Sequence, residues 1–176
     1  MPTSRSRSAR RQIHTTLAQY QHQVIIKHCP ACRRPCCMLT DVVLEFDWRD
    51  LCSFYGFDDR QKTFDRGLRN GSGPAYIRKQ AGLYYVHGSP CPAYDEHAHQ
   101  CRYYQSPLKP QNCSDFPVYL DGRSIVADTR CEALDLNNLL QALKAAAPTM
   151  DFTTQPHPDF AVLNYIEFRP NKRSQV

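Results

Sequence analysis

The chain reads as an α+β protein: a small, irregular, loop-rich single domain with short hairpins and about two to three helices, organised around a cysteine-ligated metal site. Three observations predict this. Nine cysteines occur in 176 residues, and four of them crowd into "HCPACRRPCC" (28–37). Helical and strand periodicities are short and broken by Pro- and Gly-bearing turns. From Pro90 to Pro117 the sequence carries Cys, His and Pro with little periodicity, so something other than a hydrogen-bonded ladder must hold it.

The elements follow in order. Residues 1–11 are Ser/Arg-rich and read as a disordered basic arm. "IHTTLAQYQHQVIIK" (13–27) is either a short helix or an irregular lead into the cysteines. "MLTDVVLEF" (38–46) is rich in β-branched residues and predicts a strand. "DWRDLCSFYGF" predicts a helix with Asp47 as N-cap and Gly56 as stop. Trp48, Leu51, Cys52 and Tyr55 share its apolar face, which makes Cys52 a small hydrophobe in the core.

"RNGSGP" (69–74) is a loop, and "AYIRKQAGLYYVHG" (75–88) predicts two strands about a turn at Gly82. "VYLDGRSIVAD" (118–128) predicts a hairpin, with Asp121-Gly122 supporting a type I′ turn. "LDLNNLLQALKAAAP" (134–148) is the clearest helix. Leu136, Leu139, Leu140 and Leu143 line one face, Asp135 caps it and Pro148 ends it. A last strand is expected within 159–168. The organisation is therefore an arm (1–11), a cysteine-cluster domain (12–168) and a basic tail (169–176).

Charge and hydropathy exclude several classes. No apolar run reaches the roughly 18–20 residues of a membrane span, so no membrane role is expected. The N-terminal segment has no hydrophobic stretch behind its arginines and does not resemble a secretory signal, which makes the cytoplasm the expected location. The net charge is +5, but Arg5, Arg7, Arg10, Arg11, Arg169, Lys172 and Arg173 lie in the two tails and leave the body at about −2. Nucleic acid is therefore not expected as the primary partner. No phosphate loop, dinucleotide fingerprint or nucleophile elbow is present.

In a reducing compartment thiols stay reduced, and an odd number of them excludes complete disulfide pairing. Thiolates suit zinc and iron. Cys29-Pro-Ala-Cys32 has the spacing of a metal knuckle, and Cys36-Cys37 follow at once. In an extended chain adjacent cysteines point to opposite sides, so Cys36 and Cys37 serve different centres, or only one is a ligand. Cys91, Cys101, Cys113 and Cys131 sit among turns and prolines in the second half. With Cys52 assigned to packing, the ligand pool is Cys29, Cys32, Cys36, Cys37, Cys91, Cys101, Cys113 and Cys131. Eight thiols serve two four-thiolate centres, or one centre with spare redox-active thiols.

The motifs "CPACRRPCC" (29–37), Cys91-Pro-Ala-Tyr94-Asp95, Cys101-Arg102-Tyr103-Tyr104 and Lys109-Pro110-Gln111-Asn112-Cys113 through Phe116-Pro117 occur in a fixed order. Together they resemble the CxxCxxCC proteins, the YkgJ-type cysteine-cluster family. Lys109 and Ser114 stand where that pattern has arginines, and the resemblance covers about residues 28–131. It implies a zinc- or iron-chelating domain, with an iron–sulfur cluster and a redox or accessory role as the first expectation. Zinc stapling a non-catalytic module that binds a protein or nucleic acid is the alternative. A protein partner or electron donor is implied but not specified. His28, His97 and His99 flank the cysteines as further metal-ligand types, while Asp95 and Glu96 read as turn acids.

Overall fold

Residues 4–39, 43–87, 91–104, 106 and 109–171 are described by the structure, a computed structural model. Among them five helices are found: α1 (Ser4–Tyr20), α2 (Trp48–Tyr55), α3 (Gln61–Asn70), α4 (Gln111–Asp115) and α5 (Leu136–Ala146). The strands are β1 (Leu44–Phe46), β2 (Ile77–Gln80), β3 (Leu83–Val86), β4 (Tyr94–Asp95), β5 (Gln100–Cys101), β6 (Val118–Asp121), β7 (Ser124–Asp128), β8 (Met150–Pro156) and β9 (Leu163–Pro170). They form three antiparallel sheets, ordered β1-β3-β2, β4-β5 and β6-β7-β9-β8. None of the described helices is long and apolar enough to cross a membrane.

The α+β class stands, but the architecture expected within it does not. Five helices and three sheets replace about two to three helices with short hairpins. The single domain gives way to two compact units, one made of residues 1–32 and 115–176, the other of the continuous stretch 33–114.

In the first unit the apolar stripe of α1 is Ala9, Ile13, Leu17 and Tyr20, with Thr16 buried beside it and bonded to the Gln12 carbonyl. These positions recur every three or four residues, as one helical face requires. The helix thus begins inside the stretch expected to be a disordered arm. Arginine is a good helix former, and Ala9 and Ile13 supply the buried face that holds the turns down.

Past Tyr20 the helix widens into a π turn, Gln21–Ile25, in which the Ile26 amide reaches back to the Gln21 carbonyl. The extra residue resets the stripe, so the next buried side chain is Ile25, five positions after Tyr20. One α-helical turn, Ile26–His28, and a 3₁₀ turn, Cys29–Ala31, follow.

Helices α1 and α5 share one hydrophobic cluster with the four-stranded sheet. Ile13, Leu17, Leu139 and Leu143 meet Val118, Ile125, Ile166, Phe152 and Phe168 there. Ile125 lies opposite Ile166 and Phe152 opposite Phe168 in the register. Each fully buried Leu or Ile contributes about 1.5–3 kcal/mol. The Asp135 carboxylate caps α5 by accepting from the amides of Asn137 and Asn138. The β6–β7 loop is Gly122-Arg123, because Asp121 already pairs with Ser124. Positive φ at Gly122 alone (56°) matches a type II′ turn, one residue later than the expected Asp121-Gly122.

The second unit packs α2 and α3 around the β1-β3-β2 sheet. Asp47 caps α2 by accepting from the Asp50 amide at 2.7 Å, and Gly56 ends it in the left-handed region at φ 67°. Both were expected. Phe46, Leu51, Phe54, Phe64, Ile77, Tyr84 and Val86 form the core. Trp48 lies against Phe64 and Tyr84, with ring centroids 5.2 and 5.5 Å apart. Cys52 is only partly buried and lies outside this cluster, so its assignment to the core is corrected. The deeply buried positions on α2 are Leu51 and Phe54, and Cys52 falls on the flank between them.

Candidate metal centre

No disulfide links any of the nine cysteines. The eight expected ligands divide between the units. Cys29, Cys32 and Cys131 belong to the first, and Cys36, Cys37, Cys91, Cys101 and Cys113 to the second.

In the second unit, the Cys36-Cys37 pair sits in a 3₁₀ turn (Cys36–Met38) entered from Pro35. The Cys91 amide donates to the Cys37 carbonyl at 2.8 Å, tying two distant segments at the backbone. Cys101 ends β5, with Tyr94 of β4 opposite it. Asp95 accepts from the amides of His97 and Ala98 and so shapes the turn, the role expected of a turn acid. Cys113 is carried on α4.

The thiols converge on Cys37. Its side chain shares hydrogen bonds with those of Cys101, Cys36 and Cys91. These bonds, with burial added, push the Cys37 thiol far above its ordinary range. The same bonds pull Cys36 and Cys91 down, against the opposing effect of burial. Cys101 falls to about 6, chiefly through Cys37, with help from Lys109 and Arg102. Cys113 feels the charges of Cys91, Cys36 and Cys101, and burial pushes it up to about 12.

The surroundings are apolar. Cys91 is buried in the core, and Cys37 and Cys101 pack against the same cluster. The Tyr55 hydroxyl is buried with no hydrogen-bond partner. Burial raises its pKa, the charges of Cys91, Tyr76 and Cys113 raise it further, and Tyr55 packs on the same apolar cluster as Cys37, Cys91 and Cys101. A buried orphan hydroxyl is costly, and its neighbours here are the groups that would become thiolates. Cys101 also lines an open cleft with Asp95, Ala98, Gln100, Arg102 and Tyr104. The sequence places Tyr55 on the apolar face of α2, and nothing in its periodicity marks a buried hydroxyl without a partner.

The first unit gathers a different donor set. His28 Nε2 and Glu132 Oε1 are 2.8 Å apart. The ligand atoms of His28, Cys32 and Glu132 all lie within 4.8 Å of one another. Cys29 donates to the Ile25 carbonyl, and both Cys29 and Cys131 border the first unit's core. Glu132 went unrecognised in the sequence, where it is one acid among many. Its neighbour Cys131 was the available signal. His97 and His99 are exposed, and His99 lies 3.4 Å from the Tyr94 hydroxyl.

Set against known proteins, the chain has no match among family models, curated proteins or solved structures.

Proposed function

We propose that the protein is a metal chelator whose continuous stretch 33–114 holds one ion on Cys36, Cys37, Cys91 and Cys101, with Cys113 alongside. The observation that carries this reading is that Cys37, Cys91 and Cys101 gather on one apolar cluster, with the Cys91 amide bonded to the Cys37 carbonyl at 2.8 Å. Four thiolates at about 2.3 Å from zinc stand roughly 3.8 Å apart. Among the described residues no three of these sulfurs lie mutually within 4.8 Å, so an ion would have to draw them in around it. A single tetrathiolate ion is the simplest centre that four thiols can build, and zinc is the first choice for it. When bound, zinc would supply structural cross-linking, and its binding energy would become folding energy for the segments that carry Cys91, Cys101 and Cys113. A reducing location such as the cytoplasm fits, since the thiols must stay reduced to bind.

An iron–sulfur cluster with a redox or accessory role is the second reading. Its support is the fifth thiol, Cys113, and the unpartnered Tyr55 hydroxyl, because hydrogen bonds to sulfur tune such clusters. Under either reading a protein partner remains the expected associate, and the near-neutral body argues against nucleic acid as the primary one.

Elemental analysis and an absorption spectrum on protein purified without oxygen test both. One equivalent of zinc in a colourless protein supports the first reading. Iron with absorption near 400 nm that bleaches on reduction supports the second. A chain holding neither, with Cys36, Cys37, Cys91, Cys101 and Cys113 all reacting freely, refutes the proposal.

A further inference from the structure

The cysteines of the first unit were expected to join those of Cys36 and Cys37. Instead Cys32 sits with a histidine and a glutamate. His28 and Cys32 are four residues apart across the 3₁₀ turn, where the Cys32 amide bonds to the Cys29 carbonyl at 3.2 Å. Glu132 arrives from the connection between β7 and α5, more than a hundred residues later. Both segments are anchored independently of any ion. The Tyr20 hydroxyl bonds the backbone of Asp135, three residues past Glu132. Cys29 is bonded to Ile25 inside the π turn. Pre-placed side chains lose little freedom on binding a ligand.

We infer that His28, Cys32 and Glu132 form a second metal site, separate from the thiol pocket of 33–114, that takes a borderline divalent ion such as zinc with its fourth position open to solvent. An imidazole nitrogen, a thiolate and a carboxylate are the three donor types zinc accepts. Three protein ligands with an open fourth position distinguish exchangeable and catalytic zinc sites from closed structural ones. The setting fits an open site: the His28 side chain keeps 40% of its exposure and Glu132 keeps 20%. Spacings within 4.8 Å let one ion reach all three donors after small side-chain shifts. Binding releases the Cys32 thiol proton to solvent, while His28 ligates as the neutral imidazole with its ring proton on the nitrogen that does not face the ion.

The bland alternative is an exposed His28–Glu132 ion pair, with Cys32 its accidental neighbour. Zinc titration of the reduced, metal-free full chain against a chromogenic chelator separates the two. The wild type is expected to bind one weaker equivalent in addition to whatever the thiol pocket takes. His28→Ala, Cys32→Ser and Glu132→Gln should each weaken that equivalent at least about 100-fold and leave any tight equivalent in place. Glu132→Gln keeps a hydrogen-bonding partner for His28, so its loss cannot be blamed on misfolding. His99→Ala is the control and should change nothing.

Cobalt adds a signature. The weak equivalent should show about a quarter of the thiolate charge-transfer intensity of a four-thiolate site. Unchanged stoichiometry and affinity in both His28→Ala and Glu132→Gln would overturn the inference. Absence of the tight equivalent alone would instead count against the thiol pocket.

Discussion

The Tyr20 hydroxyl makes a two-way contact with the backbone of Asp135, donating to its carbonyl and accepting from its amide, each at 3.2 Å. The two residues are 115 positions apart. One side chain thereby ties the end of α1 to the capping residue of α5. Tyr20→Phe should keep the packing of a nearly buried ring and leave an amide and a carbonyl short of partners. The expected cost is about 1–2 kcal/mol, read as a lower urea midpoint with an unchanged slope. A neutral result would show that water replaces the hydroxyl.

Substituting single cysteines should give sharply unequal results. Cys37→Ser removes the sulfur on which three others converge and should abolish metal retention by 33–114. Cys52→Ser changes a half-buried thiol on the flank of α2 and should keep full metal content, with stability within about 0.5 kcal/mol of the parent. Metal analysis of the two purified variants makes the comparison. Equal metal content in both would remove Cys37 from the centre.

The β2–β3 hairpin turns through Ala81-Gly82, with φ of 49° and 87°. Both central residues are left-handed, as type I′ requires, yet the first is alanine. Ala81→Asn places the preferred Asn-Gly pair there and should stabilise the protein by about 1 kcal/mol. Thermal and urea unfolding would both register the gain.

Asp65 accepts from Lys79 at 2.6 Å and from the buried Tyr84 hydroxyl at 2.6 Å. Burial works against its ionisation, but these two bonds prevail and hold the carboxyl below its ordinary range. A depressed acid contributes stability that is complete above the ordinary value of about 3.9 and is lost as pH falls through the lower folded value. Asp65→Asn should therefore cost about 1 kcal/mol at neutral pH. The gap to the parent should close as the pH is lowered below about 4. A gap constant down to pH 2 would mean the charge is not what stabilises.

Much of the local structure was legible because it is written in adjacent residues. Asp47, Gly56, Asp135 and Pro148 bound their helices as expected, since caps and breakers act within one turn. The 118–128 hairpin was read correctly and its turn misplaced by one residue, because two-residue loops differ only in where the positive φ falls. The opening turns of helix α1 and the whole of strand β8 escaped notice. The first opens in a Ser/Arg run, and the second buries only Phe152.

The membership of the cysteine pool was legible, but its partition was not. Three residues separate Cys32 from Cys36, too few to suggest a boundary. Which group each thiol joins depends on the core its turn docks against: Cys29 borders the cluster of α1 and α5, and Cys37 that of α2 and β3. Those are long-range facts, invisible to spacing.

Chain order gives the two units different histories. Residues 33–114 leave the ribosome as one uninterrupted piece, and all six of that unit's thiols, Cys52 included, are present once Ser114 has emerged. The other unit has only its opening helix at that moment. Its sheet is finished 56 residues later, at Pro170. At about 5–20 residues per second this is a head start of several seconds. The thiol pocket is therefore the first of the two cysteine groups that newly made protein presents to the cell's metal supply, before the partners of Cys32 have come together.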